Sequence, residues 1–106
     1  MAVPHPEVAA RVHFLATADG GKTVMIPASV GHYSAPMCID GDYFDVRLKP
    51  LVPQDIPPGG AVDVEIQFLS PELALPRVSV GTAFTLWEGR TIAHGTVTGV
   101  LRGNVG

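Results

Sequence analysis

Two stretches of this chain alternate apolar and polar residues with period two. From Tyr43 to Lys49, Phe44, Val46 and Leu48 share one parity while Asp45, Arg47 and Lys49 share the other. From Ala61 to Leu69, Val62, Val64, Ile66 and Phe68 stand opposite Asp63, Glu65 and Gln67. Successive side chains of a strand point to opposite faces, so each stretch predicts a strand with one buried face and one wet face. Glu7 to Ala16 repeats the pattern, with Val8, Ala10, Val12 and Phe14 set against Arg11 and His13. Further runs at Thr23–Ile26, Pro36–Ile39, Arg77–Val80 and Thr82–Glu88 read as strands, and Arg90–Leu101 as the longest, with Gly95 and Gly99 marking bends or close backbone approach. No helical period lasts longer than a turn.

The twelve glycines and ten prolines fall between these runs and punctuate them. Pro50 to Gly60 holds four prolines, which lack N–H donors and fix φ, so it is a surface connection, as is Ser70 to Pro76. Strands, turns and no helix imply an antiparallel sandwich or barrel. Closure removes exposed edges, so the expected fold is all-β, a small closed antiparallel six-stranded β-barrel.

At 106 residues the chain makes one domain, residues 1–106, able to bury roughly two thirds of its unfolded surface. The single Cys38 excludes an internal disulfide framework and suits a reducing compartment. The start, "MAVPHPEV", lacks a basic region followed by an apolar run, and charges or prolines interrupt every candidate membrane span. The expectation is a soluble, cytoplasmic protein with no membrane contact. Seven Lys+Arg against ten Asp+Glu give a charge of −3, with the cations scattered. That is not an electrostatic footprint for nucleic acid, although folding could gather Lys22, Arg77 and Arg90.

"DGGKT", Asp19 to Thr23, ends like a phosphate-binding loop. The full motif needs an earlier glycine where this chain has Ala16, and a helix where it has the β-branched "TVMIP". A tight hairpin turn on Gly20 and Gly21, with "TVMI" pairing back on the first strand, is the better reading. His5, His13, His32 and His94 stand at no metal-ligand spacing, and Cys38 has no second cysteine nearby and reads as a small core residue. Asp40-Gly41-Asp42 begins like a calcium loop but reaches Leu51 where a bidentate glutamate is needed, so it is a turn. Ser34 lacks the flanking glycines of a nucleophile elbow. No catalytic residue, metal site or cofactor is expected, and the chain does not read as an enzyme.

The order of the segments "RVHFLATADGGKT", "VGHYSAP", "IPPGGAVDVEIQFLSP" and "GTAFTLWEGRTIAHGTVTGVL" resembles the C-terminal β-barrel, domain III, of bacterial elongation factor Tu over residues 7–102. The most specific match is Phe84 with Glu88, Gly89, Arg90, Thr91 and Gly95. The matched region excludes the GTPase domain, so the resemblance implies no GTP. In the family this barrel packs on the GTPase domain, meets the T-stem of aminoacyl-tRNA and offers surface to the exchange factor. By position, Lys22 and Gly89 fall where the family touches RNA. The family's Gly-Tyr-Arg-Pro segment loses its arginine in "GHYSAP", the last hairpin loses a glycine, and "DGDYFD" adds acids. Lost cations and added carboxylates weaken phosphate binding.

What the resemblance implies is therefore a stand-alone binding module with a protein partner, connected with translation or with a toxin that targets the factor, as decoy or immunity protein. The alternative is an RNA-binding translation accessory that holds structured RNA such as the tRNA T-stem. Lys22, Thr23, Trp87, Gly89, Arg90, Thr91 and His94 are the candidate contacts for either, with Trp87 or Tyr33 as stacking surfaces. Trp87 has the parity opposite to Phe84 and Leu86 and so points outward, beside Arg90.

Overall fold

The computed structural model describes residues 6–22 and 25–101. Six antiparallel strands close on themselves: β1 (Val8–Phe14), β2 (Tyr33–Ile39), β3 (Asp42–Pro50), β4 (Ala61–Phe68), β5 (Ala83–Trp87) and β6 (Thr91–Val100). Around the barrel the order is β1-β4-β3-β2-β5-β6, and β6 returns to β1. The alternation in the sequence becomes the inside and outside of this wall. Val8, Ala10, Val12 and Phe14 of β1, Val62, Val64, Ile66 and Phe68 of β4, and Val46 and Leu48 of β3 are all buried. Met37, Ile39, Phe84, Leu86 and Val97 complete the interior from the other strands. Arg11, His13, Asp45, Arg47 and Asp63 face solvent, as their parity requires.

Asp40 and Gly41 link β2 to β3 with φ of 49° and 85°. Two consecutive positive φ values are the signature of the Asp-Gly hairpin turn, so this triplet is the turn expected and not an ion loop. Among the described residues the α-helical content is one turn, α1 (Pro71–Ala74), started by its proline, with Ala74 buried, beside three 3-10 turns.

Two expectations change. "DGG" does not close a hairpin: Thr17–Asp19 makes a 3-10 turn that Gly20 ends at φ 92°. The reason lies in closure, because β4 and β6 already occupy both edges of β1 and leave no edge for "TVMI". Of that run, Thr23 and Val24 lie outside the described residues, and Ile26 makes a single bridge to Ile56. "RVSV" fails similarly. Pro76 and Arg77 belong to a 3-10 turn, and Gly81, at φ 95°, sends its N–H to Val97 O at 2.8 Å.

Irregularities in β6 shape the wall further. Leu86 pairs with Ala93 but Trp87 with Thr91, which leaves Ile92 as an extra residue, and both Ile92 and Ala93 are buried. The released Ile92 carbonyl accepts from Leu15 N–H at 2.8 Å. Gly95 meets the expectation of close approach: a Cβ there would lie 2.2 Å from the Phe84 ring. Gly99 has no such crowding, its nearest contact being Ala9 Cβ at 4.0 Å.

Candidate functional site

Three surface features collect the chemistry. The first joins the loop that follows β1 to the turn between β5 and β6. Lys22 Nζ donates to Glu88 Oε1 and Oε2 at 2.8 and 2.9 Å and lies 5.5 Å from the centroid of the Tyr33 ring. Tyr33 Oη donates to the same carboxylate. Arg90 points its fork back across the loop, Nε to Gly20 O and Nη2 to Gly21 O at 2.9 Å. Thr17 Oγ1 ties Lys22 O at 2.7 Å. Gly21 permits this packing because a Cβ there would fall 2.0 Å from Leu15 O. On the other side, Glu88 N–H donates to Arg90 O at 2.8 Å and closes the turn around Gly89, whose φ is 72°.

The electrostatics follow from these contacts. Hydrogen bonds from Lys22 and then Tyr33, with the Lys22 and Arg90 charges, hold the Glu88 carboxyl below its ordinary range despite partial burial. Burial first, then the Glu88 hydrogen bond and charge, push the Tyr33 hydroxyl well above the ordinary phenol value. The cluster is a satisfied ion-pair network and offers no nucleophile paired with a base.

The second feature is an aromatic pair on the outer face. Trp87 is 40% exposed and Tyr43 59%, with ring centroids 6.1 Å apart and planes at 68°. Strand β2 runs between their strands, and the register sets Cys38 opposite both Tyr43 and Thr85, and Pro36 opposite Asp45. Cys38 is half-buried on this outer side, between inward Met37 and Ile39, so it is not a core residue. Its place on the strand has the parity of the wet face.

The third feature is a pair of depressions. An apolar cavity of about 120 Å³ sits at one end of the barrel, between Phe14, Leu48 and Val64 below and the Ile26–Ile56 bridge above. A broad outer groove crosses β1, β6 and β5, where His13 stands directly opposite His94. Both histidines are exposed, Arg11 beside them pairs with Asp63 at 3.1 Å, and no metal-binding group forms among the described residues.

The expected contacts thus divide. Lys22, Gly89 and Arg90 come together in the ion-pair cluster, Thr91 follows at the start of β6, and His94 faces outward further along that strand. Trp87 is exposed as its parity predicts, but its ring meets Tyr43, while the Arg90 guanidinium meets the carbonyls of Gly20 and Gly21. Thr23 and His5 lie outside the described residues. Glu88 is the residue that sequence reading passed over as a contact. Its only signal is an opposite charge 66 positions from Lys22, which no local pattern connects.

The fold defines a closed all-β barrel, and none of its described helices is long and apolar enough to cross a membrane. No protein-family model matches the chain, and a search of curated proteins gives no significant match.

Proposed function

We propose that this chain is a non-enzymatic binding module of the elongation factor Tu domain III type, which engages a protein partner connected with translation or with a toxin directed at the factor. The observation that carries this reading is the commitment of Lys22 and Arg90. Both cations that would meet phosphate already serve the chain itself, Lys22 on Glu88 and Arg90 on two backbone carbonyls. A phosphate would have to displace a carboxylate from Lys22, and the net charge of −3 opposes its approach. The solvent-facing Trp87 and Tyr43 offer the alternative: aromatic side chains with open faces are favoured anchors at protein interfaces.

The test is capture from cell lysate with and without ribonuclease, alongside a gel shift with tRNA at low salt, where phosphate binding is strongest. A protein retained after ribonuclease, with no tRNA shift, is the expected result. Retention that disappears with ribonuclease, together with a salt-sensitive tRNA shift, replaces this reading with the RNA-binding one.

A further inference from the structure

We propose that the Tyr43–Trp87 face recognises a cationic segment of a protein partner, with an arginine or lysine side chain seated against the rings. This inference rests on the protein-binding reading and adds the chemistry of what is bound. Two of the chain's aromatic rings already hold a cation of their own: Lys22 lies over Tyr33 and Arg77 over Phe44, at 5.5 and 5.8 Å from the ring centroids. Trp87 has no such cation among the described residues, although indole is the best platform for one. It meets Tyr43 edge-to-face at 68° and is 40% exposed.

Two acids on the strands beside the pair have the matching sign. Asp45 lies on the same outer face of β3 as Tyr43, opposite Pro36 of β2, and Asp40 sits at the turn that ends β2. Neither carboxylate forms an ion pair among the described residues. Of the nearby cations, Arg77 is committed to Asp42 at 2.8 Å, and Arg47 lies two residues beyond Asp45 on β3, in the same outer depression. An exposed aromatic pair with acids on its neighbouring strands attracts a guanidinium or ammonium through both the ring quadrupole and Coulomb's law. The same acids repel phosphate.

Trp87 is the chain's single tryptophan, so its emission reports directly on this face. The probe is a short arginine–glycine peptide, with a glutamate–glycine peptide of equal length as control. The arginine peptide should change Trp87 emission saturably and the glutamate peptide should not. Changing Asp40→Asn and Asp45→Asn together should weaken binding by about tenfold. Asparagine tolerates the positive φ at position 40, so the turn is kept. Asp63→Asn with Glu65→Gln, acids of β4 level with the far end of β3, where Glu65 stands opposite Lys49, should leave affinity within about twofold, because exposed charges beyond a Debye length are screened. Trp87→Ser, followed by anisotropy of a labelled peptide and checked for fold by circular dichroism, should lose binding by about tenfold or more.

Absence of a saturable emission change, or equal weakening by the remote pair, overturns the proposal. A concentration-dependent emission change without peptide, which would mean a second copy of the chain covers the rings, also overturns it. Ribonuclease-resistant capture of a protein that the Asp40 and Asp45 changes leave intact would overturn this assignment while keeping the protein-binding reading. Capture lost to ribonuclease would overturn both.

Discussion

Replacing Gly95 with alanine tests whether the Phe84–Gly95 contact governs closure of the β5–β6 side. The two residues are direct partners across the strands, and both are buried. A Cβ at position 95 would lie 2.2, 2.5 and 2.9 Å from three atoms of the Phe84 ring, whereas ordinary contact begins near 3.4 Å. The ring must therefore retreat by about 1 Å or more, and Phe84, only 4% exposed, has no open solvent to retreat into. Overpacking of this kind costs about 1–3 kcal/mol. For a domain of this size that corresponds to a loss of roughly 5–20 °C in Tm. Thermal unfolding followed by far-ultraviolet circular dichroism and Trp87 emission measures it. The contact makes a second demand: with Phe84→Leu already in place, Gly95→Ala should be milder, with a coupling of about 1 kcal/mol or more in a double-mutant cycle. A Gly95→Ala variant within about 0.5 kcal/mol of the parent, or a strictly additive cycle, would refute the reasoning.

The ion-pair cluster yields three further outcomes. Arg90→Ala removes two charged hydrogen bonds to carbonyls and should destabilise by about 1–3 kcal/mol, with faster hydrogen exchange in residues 17–22. Arg90→Lys should recover little of this, since an ammonium cannot reproduce the planar fork; full recovery would contradict the geometry. Glu88 has a folded-state pKa lowered from 4.5, so its contribution is present above that value and is lost as pH falls through the folded-state value. Because the group is half exposed, the effect should be below about 1 kcal/mol, and Glu88→Gln should flatten the acid limb of the stability curve. Tyr33 has the opposite linkage. Its raised pKa keeps the hydroxyl protonated above 10.0, so its contribution is present below that value and is lost as pH rises through the folded-state value. Tyr33→Phe should abolish this delayed phase in an ultraviolet titration.

The strands were legible where burial is one-sided. Val62, Val64, Ile66 and Phe68 all point inward because parity and pleat agree, and the same holds for β1 and the later part of β3. "RVSV" and the described end of "TVMI" have equally good strand composition, but the first forms no strand and the second makes only the Ile26–Ile56 bridge. Composition reports a residue's preference for a pleated surface, whereas availability of an edge depends on the ring order of strands distant in sequence. The extra Ile92 in β6 is invisible for a related reason, since a bulge is defined by its partner strand. At the surface, the cations and glycines of the candidate site were readable, but their commitments were not. Lys22 with Glu88, and Arg90 with Gly20 and Gly21, meet only after closure brings the loop after β1 against the last turn.

Closure of β6 against β1 also has a consequence for how the chain is made. The first strand to emerge during synthesis needs the last one as a neighbour, and the seam extends to Leu101 N–H on Glu7 O at 2.8 Å. Until β6 is released, one edge of β1 and one edge of β5 carry unsatisfied backbone groups that can pair with another chain. Folding is thus a late event dominated by contacts between sequence-distant strands, which is slow. The barrel stays open at this seam until β6 is in place.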